Sequence, residues 1–322
     1  MYMKPKEILV FGATGNIGRN IIRKLTKNNY KVVAVTRNIH QKGFQLKTQA
    51  NPGYLELVEL ESLDEAKIKD LFNSCSVCIN LIGILYEKNK GQFNKIHSVL
   101  PNILSKIAKE KKIDQFIHVS ALGVENALNS VYAKSKLDGE INVRKNFKSS
   151  LILKPSIVYG IDDNFTTNFM SLLSKLPIMP LYYNGETKFV PIHVSDLAEI
   201  IYQMISKEIK NETIECIGPE VLSFKEILKK ILKSIQKKRL LIPMPFPIAK
   251  MTAFFLGLLP KPLLTSDQLM LLKYDNIPTK KYKTNFDLGL NANKKFEDEI
   301  EKYSYNWRSG GQYTRKNNQE TT

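Results

Sequence analysis

The 322-residue chain is short of several things, and each shortage closes off a class of protein. Its 3 cysteines are too few for a disulfide framework, which points to a reducing compartment. Its 4 histidines have no carboxylates or thiols spaced around them as metal ligands would be, so no metal site is expected. No apolar run approaches the roughly 20 residues that cross a bilayer, and residues 1–6 lack the apolar core of a signal peptide. The expected place is the cytoplasm, or the periphery of a membrane. Arginine is scarce too, with 7 against 41 lysines, although the net charge is +17. Arginine is the side chain suited to bidentate recognition of phosphates and base edges, and no groove-reading motif is present. The surplus lysine therefore reads as compositional bias, and no nucleic-acid partner is expected. At 43% hydrophobic and 25% charged residues, the composition is neither collagen-like, low-complexity nor multi-span membrane.

What is present begins at the N-terminus. Glu7–Phe11 is a short apolar run with the look of a buried parallel strand. It enters the turn Gly12-Ala13-Thr14-Gly15-Asn16-Ile17-Gly18, then a helical pattern with Ile17, Ile21, Ile22 and Leu25 on one face. Lys31–Thr36 reads as a second strand. Strand, glycine turn, helix and strand in about thirty residues is the setting of a dinucleotide fingerprint. Gly12 permits the tight turn, Gly15 lets a pyrophosphate approach the backbone, and Gly18 lets the helix close on the sheet. The phosphates would meet the helix N-terminus, whose free N–H groups and dipole favour anions. An acidic residue at the end of the second strand would bind the ribose 2′-hydroxyl of NAD. Arg37 stands there instead, with Arg19 in the first helical turn. A guanidinium suits a 2′-phosphate, so NADP(H) is favoured over NAD(H).

Further strands are expected at 53–61, 76–83, 115–120 and 151–158, with helices at about 64–73, 93–111 and from near Tyr132. The alternation predicts an α/β fold: a Rossmann-type doubly wound parallel sheet with ligands at the carboxyl ends of its strands. Leu81, Gly83, Ser120 and Pro155 fall at such ends. Cys75 and Cys78 are spaced as C-x-x-C but run straight into an apolar strand, so they read as buried structural thiols. The division expected is an NADP-binding domain over 1–160, a smaller C-terminal region over 161–303 with part of the chain returning to the sheet, and a polar, mobile tail over 304–322. Trp307, the only tryptophan, would tack the tail's start to the body.

Tyr132 and Lys136 lie four residues apart, on one face of a helix. A nearby cation favours phenolate, so the pair could exchange a proton with a carbonyl or alcohol. With 14 Tyr and 41 Lys the spacing is common by chance; its weight comes from following a strand end, one unit before Leu151–Pro155 and Ser156-Ile157-Val158-Tyr159-Gly160. In this order the glycine turn, Tyr-x-x-x-Lys and Pro-x-x-Val-Tyr-Gly resemble the extended and atypical short-chain dehydrogenase/reductases over nearly the whole chain. The resemblance implies that Lys136 holds the nicotinamide ribose, that Tyr132 is a catalytic acid or base, and that Pro155, Ser156 and Val158 line the nicotinamide. Asn80-Leu81-Ile82-Gly83, Phe116-Ile117-His118-Val119-Ser120-Ala121-Leu122-Gly123 and Asp163-Asn164-Phe165 resemble the atypical branch that contains the NADPH-binding accessory subunit of respiratory complex I. Phe189-Val190-Pro191-Ile192-His193-Val194-Ser195-Asp196 and Pro243-Met244-Pro245-Phe246-Pro247 fit the same branch. One departure stands out. Active members carry a hydroxyl that polarises the substrate carbonyl, and Ala121 falls at that position, with Ser120 one place short and so on the opposite face of a strand. The branch is thought to keep its nucleotide largely for structure. Its location would be the cytoplasmic face of the inner membrane, or the matrix side in an organelle.

In the second half, Asp196 opens an amphipathic helix, where a helix-terminal role outweighs catalysis, and His193 just before it reads as a strand or loop residue. Residues 223–239 read as a helix bearing Lys229, Lys230, Lys233, Lys237 and Lys238, followed by the apolar 240–247 and 248–259. Two readings fit 225–264: docking on complex I or a membrane surface, and a core helix with its lysines on the wet side. The alternative to an accessory role is a soluble NADP-dependent reductase, dehydrogenase or epimerase acting on a small carbonyl or quinone-related substrate through Tyr132 and Lys136. A third is a nucleotide sensor without turnover.

Overall fold

Each apolar run of the first half forms a parallel strand, and the helices between them cover both faces of one sheet. The computed structural model describes residues 7–62, 64–248, 250–251 and 264–313. The first unit is β1 (Glu7–Phe11), α1 (Asn16–Lys27) and β2 (Lys31–Thr36), followed by α2 (Ile39–Lys47) and β3 (Leu55–Glu59). The second half of the winding is α3 (Glu65–Leu71), β4 (Val77–Asn80), α4 (Leu100–Glu110), β5 (Gln115–Val119), α5 (Val131–Asn146) and β6 (Leu151–Pro155). Two later strands return to the same sheet, β7 (Thr213–Cys216) and β8 (Lys283–Thr284), giving the order β8-β7-β6-β5-β4-β1-β2-β3, parallel throughout. This is the Rossmann-type doubly wound sheet that the sequence predicts.

Successive strand residues point to opposite faces, and β1 shows the consequence. Ile8 and Val10 join Ile21, Ile22 and Leu25 of α1 in one core, while Leu9 and Phe11 join Ile68, Leu100, Leu104 and Val143 in the other. Cys75 and Cys78 are free thiols buried in the second core.

Some boundaries differ from the expected ones, and one helix was not expected. The helix expected over 93–111 is broken by a π-helical turn, Lys95–Val99, just before α4. Pro101 has no N–H to give the carbonyl of His97 four residues earlier, so the ladder slips there. The strand expected over 151–158 stops at Pro155 and resumes as Val158–Tyr159, which leaves the main sheet to pair with Ile192–His193. The polar helix α2, capped by the Asn38 side chain, has only scattered apolar residues and was not read from the sequence.

The C-terminal region has its own core. It is built by α6 (Thr166–Lys175), α8 (Phe224–Ser234) and α10 (Phe296–Ser304), whereas α7 (Val194–Ser206) packs into the sheet's first core and α9 (Ser266–Leu271) puts Leu269 in a small separate cluster. Met170, Phe224, Ile227, Ile231, Phe296 and Ile300 pack together, with Trp307 against them. The apolar face of α8 is therefore buried, and Lys230 and Lys233 both pair with Glu297. The following run is a strand, Leu240–Met244, parallel to Ile178–Tyr182, and it leaves Leu240, Ile242, Phe246, Ile248 and Met251 exposed. The rest of the apolar 248–259 segment, and 314–322 of the tail, lie outside the described residues.

Candidate functional site

The carboxyl ends of β1, β4, β5 and β6 open on a cavity of about 510 Å3. The glycine turn supplies Gly12, Gly15, Asn16, Ile17 and Gly18 to its wall. The strand ends supply Leu81, Gly83, Ser120, Pro155, Ser156 and Val158, and α5 supplies Tyr132 and Lys136. Thr14 lies in the same turn but outside the lining, and Arg37 stands exposed beyond it at the end of β2. Gly12 has φ +82°, and a Cβ at Gly18 would sit 2.4 Å from the Gly12 carbonyl oxygen, so only glycine lets α1 start against the turn.

The start of α1 is prepared for an anion. Gly15 caps it with no side-chain bond, and no acidic residue occupies its first turn. Asn16 Nδ2 and Arg19 Nε are buried donors with no partner among the described residues, although Arg19 Nη1 reaches Asp162 at 3.4 Å. A phosphate bridging these groups would satisfy them, so the residues present fit a dinucleotide.

At the other end of the cavity, Lys136 is buried and donates to the Val119 carbonyl at 3.3 Å. Burial pulls its pKa down to about 8, against an opposing pull from Glu140. Two neutral histidines lie beside it. His97 Nε2 accepts from the Ile84 N–H at 3.1 Å, so its Nδ1 carries the proton toward Ser135 Oγ; His118 Nδ1 lies 3.2 Å from Asn80 Nδ2. Burial and the Lys136 charge lower them to about 2 and about 3. Tyr132 packs edge-on against Phe93 and His97. Burial, and secondarily Asp267, push its phenol up to about 12, opposite to the direction expected from the neighbouring cation alone.

Ser120 is on the lining, yet its hydroxyl donates to Glu140 Oε1. Glu140 in turn accepts from Lys154, which is fully buried in β6 and also pairs with Glu125. Ala121, beside it on the wall, brings no hydroxyl. Several supporting residues escaped the sequence reading. A lysine inside the apolar run of β6 was a visible sign of a buried ion pair. Asp267, which accepts from Ser130 Oγ and the backbone N–H groups of Val131 and Tyr132, gave no sign, because it lies 135 residues from Tyr132. Asn276, bonded to Ser156 Oγ at 2.6 Å, was equally invisible. Among the described residues, no cluster of His, Cys, Asp and Glu could hold a metal ion, and no helix is long and apolar enough to cross a membrane.

The fold and cleft define a Rossmann-type α/β protein. The chain belongs to the NmrA-like family, whose model matches residues 4–253. It is 29% identical over 261 residues to the mitochondrial NADH dehydrogenase [ubiquinone] 1 alpha subcomplex subunit 9 of Arabidopsis thaliana, covering 79% of this chain and 65% of that relative. It is 28% identical over 287 residues to the mitochondrial NADH-ubiquinone oxidoreductase 40 kDa subunit of Neurospora crassa, covering 87% and 74%. The chain thus spans about two thirds to three quarters of the length of these relatives. Among solved structures, a dTDP-glucose 4,6-dehydratase from Streptomyces venezuelae with NAD bound superposes with TM-score 0.69 at 15% identity, over 94% of this chain and 96% of that one. That likeness is one of fold.

Proposed function

We propose that the chain binds NADP(H) in this cleft and serves as an accessory subunit or assembly partner of a respiratory complex I, with the nucleotide bracing the fold. The observation that carries the bracing role is the commitment of Ser120 to Glu140, with Ala121 alongside. The cleft keeps the glycine turn and Lys136, while among the described residues no serine hydroxyl at the end of β5 is free to polarise a carbonyl beside Tyr132, a loss worth orders of magnitude in rate. In this reading the turn Gly12–Gly18 and the start of α1 hold the pyrophosphate, and Arg37 pairs with the 2′-phosphate. Lys136 holds the nicotinamide ribose, and Pro155, Ser156 and Val158 flank the ring. The exposed apolar face of Leu240, Ile242, Phe246, Ile248 and Met251 then docks on the membrane arm or the lipid beside it, on the cytoplasmic or matrix side.

The location of Tyr132 and Lys136 on the same wall favours a second reading, in which the chain reduces or oxidises a small carbonyl or alcohol. The bound nucleotide would give or take the hydride; Tyr132 would hold the proton at its phenol oxygen, and Lys136 would hold the ribose. Native-gel migration of mildly solubilised membranes, with wild type and Tyr132→Phe, separates the two. The expected result is co-migration with NADH dehydrogenase activity for both proteins. A free wild-type species, with loss of cellular function in the variant, would overturn the accessory reading in favour of the enzyme.

A further inference from the structure

The cavity continues past Tyr132 and Lys136 into a part walled by Leu122, Val124, Phe165, Phe189, Leu271 and Leu272. Leu122, Val124 and Phe189 are buried, and Leu85, also on the wall, is 53% exposed, so the carbon surface continues out to the solvent. Most of the polar groups on this wall are already spent, the exposed Asn164 amide and the Tyr274 phenol apart. Both oxygens of Asp163 accept from the Gly160, Phe165 and Thr166 backbone and the Thr166 hydroxyl. The Asn276 amide accepts from Ser156 Oγ and donates to the Leu122 carbonyl. Gln268 is held between the Leu85 carbonyl and the Thr265 N–H. Asp275 accepts from the Lys188 N–H. Among the described residues of the wall, Lys136 is the one side-chain cation, and it stands at the nucleotide end.

A nucleotide sugar could not bind here at reasonable cost. Its diphosphate would lose water beside two carboxylates, with no guanidinium to replace it. The dehydratase that shares this fold is named for dTDP-glucose; this wall suits a different ligand. Resting on the nucleotide reading above, we infer that this half of the cavity takes a neutral amphiphile: a hydrocarbon body carrying a single carbonyl or hydroxyl head, which would meet Tyr132 while the tail runs out past Leu85.

The test is equilibrium dialysis of the NADPH-loaded full chain against 2-octanone, 2-nonanone and 2-decanone, quantified by gas chromatography, and separately against dTDP-glucose. One ketone per chain is expected, with affinity rising roughly fourfold for each added methylene, the increment for burying one CH2. No retention of dTDP-glucose is expected. Leu85→Lys, at an exposed position, should weaken 2-decanone at least tenfold with NADPH affinity unchanged. Retention of dTDP-glucose as strong as that of the ketones, affinity independent of chain length, or ketone binding indifferent to Leu85→Lys would each overturn the assignment. Failure of the chain to load NADPH would instead sink the nucleotide reading on which it rests.

Discussion

Burial at Lys136, His97 and His118 holds three basic groups away from their ordinary protonation ranges, and the histidines make this measurable. In the unfolded chain each titrates near 6.5; folded, they are held at about 2 and about 3. Below pH 6.5 the unfolded chain binds more protons, so their contribution to stability is full above that pH and is lost as pH falls toward the folded values. Well below 6.5 each histidine contributes a slope of about 1.4 kcal/mol per pH unit. Urea unfolding from pH 7.5 to 5 should show the decline, and His118→Gln should make it shallower; a flat profile would show that the histidines are not buried neutral. None of this was legible in the sequence. His97 and His118 meet Lys136 only because a turn, a strand and a helix converge, whereas the glycine turn could be read directly, since its chemistry lies within seven consecutive residues.

At the scale of elements, backbone proximity at the start of α1 decides whether the cleft forms. Gly18→Ala would put a methyl 2.4 Å from the Gly12 oxygen and 2.5 Å from the Ala13 oxygen, so the helix must shift. Overpacking of this kind costs about 1–3 kcal/mol, and nucleotide binding should be lost with it. A variant that binds NADPH at wild-type affinity would contradict the role given to this glycine. The helix bearing Tyr132 and Lys136 is secured differently: Asp267 of α9 accepts from its first N–H groups. Asp267→Ala should cost about 1 kcal/mol, as lost caps do, and remove one cause of the raised phenol pKa of Tyr132. An unchanged urea midpoint would show that the bond carries no stability. Strands and amphipathic helices such as α1 were legible because burial imposes their period. The break at Pro101 and the polar helix α2 were not, since one depends on a single missing donor and the other on a cap rather than an apolar stripe.

For the whole molecule, the sequence separates cleanly into a doubly wound half that announces itself and a C-terminal region that does not. Strands β7 and β8 reach the sheet only after long excursions, and Leu240–Met244 finds its partner some sixty residues back, so local pattern could not place them. The basic stretch around α8 shows the same limit. Its apolar face is core, two of its lysines are paired with Glu297, and the exposed carbon lies on the strand that follows and just beyond it. The cleft is lined by both halves, by the turn Gly12–Gly18 and Tyr132–Lys136 from the first and by Phe189, Leu271 and Leu272 from the second, and the central claim is that it holds NADP(H). Calorimetric titration of the purified full chain with NADPH and NADH, alongside Arg37→Glu, tests this most directly. The expected result is NADPH binding at least tenfold tighter than NADH, in line with a charge-assisted bond to the 2′-phosphate, with the preference lost in the variant. Binding of neither nucleotide, or an NADPH preference indifferent to Arg37, would contradict it.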